Sequence, residues 1–126
     1  MADLTMNGNA KLKTVKQQFT KRFPYLRLSI YALSQRSLSL KTPLNAEKTL
    51  AEVRTKTSSK VALVRGAQKV KNLEKMMEDD FGLYCQVCYT TKDNERFYTT
   101  GSLDDMKLSD LNHYGNANGW KKGEWK

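Results

Sequence analysis

The residues whose chemistry stands out first in this sequence are two cysteines, Cys85 and Cys88, spaced as Cys-x-x-Cys. In a loop or at a helix start, that spacing is typical of zinc sites and redox-active dithiols. Here the surrounding residues alternate as in a β-strand, on which residues three apart point to opposite faces. We therefore expect Cys85 to lie in the core and Cys88 to point outward, with no disulfide and no metal site.

His113 is the only histidine, and no residue is an obvious partner to orient it as a general acid or base. The acidic pairs Asp79–Asp80 and Asp104–Asp105 are adjacent in sequence, so their side chains diverge. The sequence holds no Gly-x-Ser-x-Gly, Walker or Gly-x-Gly-x-x-Gly motif. We expect a protein that is not an enzyme, uses no cofactor or metal, and takes no small-molecule substrate.

Charge is unevenly distributed along the chain. Its 126 residues carry 22 basic and 13 acidic side chains, a net charge of +9. Residues 1–58 hold eleven of the basic and three of the acidic side chains, whereas residues 59–126 hold eleven and ten. Such an excess either raises encounter rates with anionic partners or only keeps the surface solvated. Both interpretations stay open, and the first points to residues 1–58.

Two glycine turns, at Gly8 and Gly66, precede the segments with helical periodicity. Four lysines crowd the positions just after these turns: Lys11, Lys13, Lys69 and Lys71. A helix N-terminus attracts anions, and lysines placed there oppose the helix dipole. The pattern is compatible with an anion or phosphate contact. The favoured alternative is a plain turn with solvated lysines.

An internal repeat becomes visible when the chain is shifted by 58 positions. Two apolar stripes with the same helical spacing then coincide: Leu12, Val15, Phe19 and Phe23 with Val70, Leu73, Met77 and Phe81. The spacing predicts helices over residues 10–23 and 68–81, ended by Pro24 and Gly82.

Strand alternation follows each predicted helix. The residues expected to face the core are Leu26, Leu28, Ile30, Leu83, Cys85 and Val87. Tyr25, Arg27 and Tyr31 are then expected to face outward. Further short strands fit residues 37–41 and 96–100. Capping boxes at Thr49–Glu52 and Ser102–Asp105 predict two brief helical turns.

Each half is therefore predicted to be one β-α-β-β unit, and one such unit alone could not cover its apolar face. We predict an α+β fold, a two-layer sandwich of the ferredoxin-like or split β-α-β type, with two helices on one face of a mixed sheet. One domain, 1–126, would consist of two repeats, 1–58 and 59–114, and of a tail, 115–126. The tail is expected to be mobile unless a tryptophan anchors it.

The segment Asn-Gly-Asn-Ala-Lys-Leu-Lys-Thr-Val, followed by Phe-Pro-Tyr-Leu-Arg-Leu and Thr-Leu-Ala-Glu-Val, resembles small uncharacterised proteins of Bacteroides-type gut bacteria, their mobile elements and phages. In the second half, Lys-Val-Lys-Asn-Leu-Glu-Lys and Phe-Gly-Leu-Tyr-Cys-Gln-Val resemble the same unit. The likeness covers most of the chain apart from the tail. Its motifs are core and turn positions, so it implies a fold and no activity, cofactor or site residue.

Exposed charged and aromatic residues are the candidates for binding. On the first helix, Lys21 is opposite the apolar stripe, whereas the second helix is acidic from Glu74 to Asp80. Aromatic side chains beside basic ones on a sheet face are typical of single-stranded nucleic-acid binders. The predicted binding residues are Lys11, Lys13, Lys21, Arg22, Tyr25, Arg27, Tyr31, Trp120 and Trp125.

The sequence thus predicts a non-catalytic protein-interaction or assembly module that binds a protein partner or a second copy. The alternative is a nucleic-acid-binding protein that uses the basic first helix and the sheet tyrosines. The longest aliphatic run, 61–64, is too short for a membrane span, and the N-terminus lacks a signal-peptide pattern. With two unpaired cysteines, these features favour a cytoplasmic protein without a membrane partner.

Overall fold

The structure, a computed structural model, describes residues 4–6, 10–35, 44–55 and 62–122. Its strands are β1 (Leu4–Met6), β2 (Arg27–Ala32), β3 (Ala62–Val64), β4 (Leu83–Thr90) and β5 (Arg96–Tyr98). Its helices are α1 (Leu12–Arg22), α2 (Leu50–Val53), α3 (Val70–Met76) and α4 (Leu108–Ala117). The predicted α+β class is confirmed. The strand predicted at 37–41 lies outside the described residues.

The two long helical segments form where the apolar stripes predict them. α1 lies inside the predicted range 10–23, and α3 continues into a π-helical turn, Met77–Phe81, inside the predicted range 68–81. Gly82 ends this second segment with a φ of 62°. A residue with a Cβ is strained at such an angle, so glycine suits the stop.

The strands pair only antiparallel within the described ranges. β4 lies between β2 and β5, and β1 pairs with β3. The long pairing runs from Arg27 opposite Cys88 to Ala32 opposite Leu83, so it joins the first half to the second. The predicted mixed sheet is therefore wrong for these strands. β2 leaves α1 and pairs with β4, whose apolar alternation matches its own, rather than running parallel to β1.

One hydrophobic core includes residues from both halves. The apolar stripes of α1 and α3 are buried in it together with the predicted core positions of β2 and β4, all at most 3% exposed. The residues that β2 and β4 contribute to this core are Leu28, Ile30, Leu83, Cys85 and Val87, and Val64 of β3 also belongs to it. Both helical segments therefore cover the same face of the β2–β4–β5 sheet, as the alternation of the strands predicts.

The two predicted capping boxes differ in outcome. At α2, the Thr49 hydroxyl accepts a hydrogen bond from the Glu52 N–H at 3.2 Å, and the Glu52 carboxylate accepts one from the Thr49 N–H at 3.1 Å. At the second, the predicted brief helical turn forms, but the predicted capping box is wrong. Residues Gly101–Asp105 form a 3-10 turn without a side-chain cap, and the helix α4 begins only at Leu108. Burial of Leu108 and Leu111 against the core fixes this later start.

The predicted tail is ordered as far as it is described. α4 extends to Ala117, and Trp120 is 8% exposed. The Trp120 N–H donates to the Gly115 carbonyl at 2.9 Å, and the Lys121 N–H donates to the Thr90 carbonyl at 2.8 Å. A tryptophan therefore anchors this segment to β4.

Within the described residues, no helix combines the length and apolar composition needed to cross a lipid bilayer.

Candidate interaction surface

One carboxylate holds the two lysines at the start of α1. Lys11 Nζ and Lys13 Nζ lie 3.1 and 2.9 Å from the carboxylate oxygens of Glu47. Lys13 first, and then Lys11, hold the pKa of the Glu47 carboxyl below its usual range. Two predicted binding lysines are thus already part of an exposed ion cluster whose net charge is only +1.

The first amides of α1 are already hydrogen-bonded. The Leu12 N–H donates to the Lys48 carbonyl at 2.8 Å, and the Lys13 N–H donates to the Ala46 carbonyl at 2.9 Å. The next two amides donate to the carbonyl of Lys11 at 3.0 and 3.1 Å. A bound anion would have to displace these carbonyls, so the geometry does not favour the anion contact considered from the sequence.

The chain at the start of α2 is hydrogen-bonded to the start of α1, and the chain at the start of α4 is bonded in the same way to the start of α3. The bonds are Leu12 N–H to Lys48 O, Leu50 N–H to Ala10 O, Val70 N–H to Met106 O and Leu108 N–H to Gln68 O, all 2.8–3.0 Å. Lys71 Nζ lies 2.7 Å from the Asp105 carboxylate, an ion pair that corresponds to the one between Lys13 and Glu47. Lysines at the starts of α1 and α3 therefore face carboxylates that precede the partner helix.

Arg22 and Tyr25 lie against the second half of the chain. The Tyr25 N–H donates to the Asn112 side chain at 2.9 Å, and the Tyr25 hydroxyl donates to Asn116 at 3.1 Å. The Arg22 guanidinium packs beside Gly66, where it would lie 3.2 Å from an added Cβ. The expectation that Tyr25 faces outward from the sheet is wrong, because α4 covers it.

The first half also contacts the C-terminal end of the helical segment of the second half. Arg54, after α2, donates to the Asp80 carbonyl at 2.7 Å, and its guanidinium lies 4.4 Å from the centre of the Phe81 ring. The Thr55 hydroxyl donates to the Gly82 carbonyl at 2.8 Å. Each half thus contacts the C-terminal end of the long helix of the other half.

Tyr31 is buried, so the prediction that it is exposed is wrong. It is 1% exposed, and its hydroxyl lies 2.9 Å from that of Tyr98 on β5. Burial first, and then the hydrogen bond with Tyr98, raise the pKa of Tyr31. The ring also lies 5.8 Å from Tyr84 across the sheet. Arg27, on the same face, is half-buried.

Cys88 lies on the outer face of the sheet but is buried there, which corrects the expectation that it is exposed. Arg96 Nη2 lies 3.4 Å from Cys88 Sγ and 3.5 Å from Ser29 Oγ. Lys16 of α1 is buried as well, and burial and then the charge of Arg96 lower its pKa. Cys85 is buried in the core as predicted, and burial raises the pKa of its thiol.

Four aromatic rings form a row along β5, β4 and the end of α4. The rings of Tyr89 and Trp120 stack at 3.9 Å, Phe97 lies 5.7 Å from Tyr89, and Tyr114 lies 5.5 Å from Trp120. We call these four residues the aromatic row. Its two ends, Phe97 and Tyr114, are 43% and 44% exposed. Three exposed lysines are in the adjoining segments: Lys92, Lys121 and Lys122.

β5 is the end strand of the described sheet, and all three of its residues are exposed. Phe97 and Tyr98 are each 43% exposed. The Thr99 N–H donates to the Val87 carbonyl and the Thr91 N–H donates to the Glu95 carbonyl, at 2.9 and 2.8 Å. Since hydrogen-bonded pairs alternate in an antiparallel ladder, the backbone amides and carbonyls of Arg96 and Tyr98 point away from β4.

The residues that define these surfaces were only partly visible in the sequence. Lys21 is exposed as predicted, Trp120 anchors α4, and Trp125 lies outside the described residues. Phe97 and Tyr114 were missed, although Phe97 is in a strand predicted at 96–100. In the part of the chain with described side chains, no three His, Cys, Asp or Glu residues are grouped to hold a metal ion.

No protein-family model, curated protein or solved structure matches this chain. Any function must therefore be argued from the geometry.

Proposed function

We propose that this protein is a non-catalytic protein-interaction module that binds an extended segment of a protein at the outer edge of β5, the end strand of the described sheet. The observation that carries the proposal is the exposure of Phe97 and Tyr98, each 43%, on the end strand of the described sheet. An end strand with outward amides is a template for a further strand. Main-chain bonds then provide affinity and the alternate side chains provide specificity.

We further propose that the module consists of two copies of one β-α-β unit, each followed by a further helix, α2 or α4. The support is a set of hydrogen bonds that recur at a spacing of 58 residues: Leu12–Lys48 with Val70–Met106, and Leu50–Ala10 with Leu108–Gln68. The ferredoxin-like sheet is not part of the proposal, because β1 and β3 pair antiparallel.

Selection of a displayed library of random nonapeptides on the immobilised protein tests the binding mode. We expect extended peptides with alternating apolar residues, whose affinity falls about tenfold or more when Phe97→Ser removes an anchor. The matched control is Tyr114→Ser, which removes an equally exposed ring on α4 and should leave affinity unchanged. A selection that enriches no peptide, or peptides that bind Phe97→Ser equally well, would overturn the proposal.

A second candidate function is binding of single-stranded nucleic acid along the aromatic row. The observation in its favour is the row itself, whose exposed ends, Phe97 and Tyr114, lie near Lys92, Lys121 and Lys122. Exposed rings stack on bases, and the lysines neutralise phosphate. This surface differs from the first-helix surface inferred from the sequence, where Tyr25 and Tyr31 are covered.

Fluorescence anisotropy with labelled oligo(dT) at low salt tests this candidate. Affinity should fall with a slope of roughly −0.7 per phosphate contact in log–log plots against salt. Replacing Lys121 and Lys122 with Gln should reduce this slope, whereas Lys21→Gln, at an exposed position of α1 outside the aromatic row, should not change it. Absence of binding at low salt would remove the candidate.

A further inference from the structure

We infer that Ser29 and Tyr31 are positioning residues of the β5 edge, and that a bound segment is recognised only through its side chains on the Phe97 face. The inference rests on the proposed function, because it assigns residue roles and a class of segment to the same strand edge. That class is an extended chain with apolar residues at alternate positions on the Phe97 face and unrestricted residues between them.

Side chains from three strands meet on the outer face of the sheet. The hydroxyl oxygens of Tyr31 on β2 and Tyr98 on β5 lie 2.9 Å apart. Arg96 Nη2, also from β5, lies 3.4 Å from Cys88 Sγ on β4 and 3.5 Å from Ser29 Oγ on β2. Because β4 lies between β2 and β5, the contacts from β5 to β2 span a whole strand. We call these five side chains the outer-face clamp.

The members of the outer-face clamp on β2 and β4 are buried. Ser29, Tyr31 and Cys88 are at most 3% exposed, so they do not touch a segment that pairs with the outer edge of β5. The guanidinium of Arg96 and the hydroxyl of Tyr98 are directed back over the sheet, toward these buried groups. The polar ends of both β5 side chains are therefore already engaged within the protein.

β5 depends on such contacts because it is short. It has three residues, all exposed, and in the described sheet it is bonded to β4 alone. Segments with exposed hydrogen bonds and few buried contacts open locally at a low free energy. An open strand has to be ordered before another segment can pair with it, and this requirement weakens binding. The outer-face clamp lowers that cost, because it holds β5 in the conformation that a partner needs.

Phe97 is the β5 side chain left for recognition. Its ring is 43% exposed on the opposite face of the sheet, 5.7 Å from the ring of Tyr89. The outward amides and carbonyls of Arg96 and Tyr98 form the hydrogen-bonded pairs with an added strand. Phe97 is then in a non-hydrogen-bonded pair, where side chains approach most closely. An apolar side chain opposite Phe97 is therefore favoured, whereas the next residues of the segment meet side chains that are already engaged.

Hydrogen exchange and peptide affinity together test the positioning role. In Ser29→Ala/Tyr31→Phe, we expect the Thr99 amide, which donates to the Val87 carbonyl beside β5, to exchange about tenfold or more faster. The amides between β2 and β4 should keep their protection. The affinity for peptides selected on the wild type should fall about threefold or more, although neither residue touches the peptide. Tyr84→Phe is the control, because it removes a hydroxyl from the ring beside Tyr31 on β4 and should leave both quantities unchanged.

Peptide selection on a charge variant tests the recognised face. Phe97→Lys should select an acidic residue in place of the apolar one opposite it, since opposite charges stabilise a cross-strand pair. The intervening positions should stay unrestricted. Tyr114→Lys introduces the same charge at a ring of nearly equal exposure on α4 and should select the wild-type consensus.

The two tests separate this inference from the proposed function. Unchanged exchange and affinity in Ser29→Ala/Tyr31→Phe overturn the inference and leave the proposed function standing. A consensus that is restricted at the intervening positions, or that Phe97→Lys does not change, has the same effect on the inference. A selection that enriches no peptide removes both.

Discussion

Gly115, on α4, lies directly against Trp120 of the aromatic row and against Tyr25. An added Cβ would lie 2.5 Å from Trp120 Cε3 and 2.9 Å from Tyr25 Cβ. Alanine gains about 1 kcal/mol of helix propensity, but overpacking a filled contact costs roughly 1–3 kcal/mol. Because both distances are far below normal carbon contacts, we expect Gly115→Ala to lower the free energy of unfolding in urea and to change Trp120 emission.

Gly101→Ala is the matched control for that substitution. Gly101 has a φ of 57°, and no atom lies within 4 Å of an added Cβ. The substitution should lower the free energy of unfolding only through left-handed backbone strain, by about 1 kcal/mol, and it should leave Trp120 emission unchanged. A Gly115→Ala variant as stable as the wild type, with unchanged emission, would contradict the packing of Trp120 against α4.

Glu47 and Asp105 make stability depend on pH. Lys13 and Lys11 lower the pKa of Glu47 from 4.5, and Lys71 lowers that of Asp105 from 3.8. A carboxyl with a lowered folded pKa stabilises the fold above its unfolded pKa, and this contribution is lost as the pH falls through the folded value. The double variant Glu47→Gln/Asp105→Asn should therefore be less stable than the wild type near neutral pH, and the difference should shrink below pH 4.5.

Thermal unfolding at a series of pH values and low salt measures this difference. Salt screens exposed pairs, so high salt should abolish most of it. Asp93→Asn, at an exposed carboxylate on the β4–β5 turn, is the control and should change the pH profile little. A double variant whose stability parallels that of the wild type at every pH would show that these ion pairs contribute nothing measurable.

At the scale of the elements, the start of α2 depends on one hydroxyl. Thr49 caps α2 through the Glu52 N–H, whereas Lys107, at the corresponding position 58 residues later, makes no side-chain cap to α4. We expect Thr49→Ala to lower the free energy of unfolding by about 1 kcal/mol, the usual value of a lost N-cap. Urea unfolding followed by far-UV circular dichroism provides the measurement.

Lys107→Ala is the control at the start of α4. It keeps the backbone bonds that join the starts of α3 and α4 and removes no cap, so it should cost clearly less than Thr49→Ala. Equal losses in the two variants would mean that the hydroxyl of Thr49 does not stabilise α2.

The elements were more predictable than their arrangement. The stripe beginning at Leu12 and its counterpart beginning at Val70 give α1, and α3 together with its π-helical turn, to within two residues, because the period of a helix is local. The pairing of β2 with β4 depends on contacts between distant residues, from Ala32 with Leu83 to Arg27 with Cys88, and no local pattern encodes it. The length of α4 was missed because Gly115 and the polar residues around it weaken its stripe.

At the scale of the whole molecule, neither half has a core of its own. The hydrophobic core takes residues from α1, α3, β2 and β4, and the longest strand pairing joins the halves. We expect the fragments 1–58 and 59–126 to lack cooperative unfolding transitions when separate, and to regain helical circular dichroism when mixed. A cooperative transition in either fragment alone would contradict a shared core.

The candidate surface was less predictable than the fold. Lys11 and Lys13 were recognised as exposed, but their partner Glu47 is 34 to 36 positions away and only the folded chain brings it near. Tyr31 is on an outward strand position, yet Tyr98 of β5 closes over its hydroxyl. Alternation determines which face a side chain occupies, and it does not determine what covers that face.

The closed start of α1 has a consequence for synthesis on the ribosome. The carbonyls of Ala46 and Lys48 that complete its first turn follow some 33 to 36 codons after Leu12 and Lys13. At roughly 5–20 residues per second, translation needs about 2–7 s to supply them. During that interval the first turn of the nascent helix is frayed, and the apolar face of the helix is exposed to solvent. Slow codons between these positions should therefore lengthen the window in which chaperones engage the nascent chain.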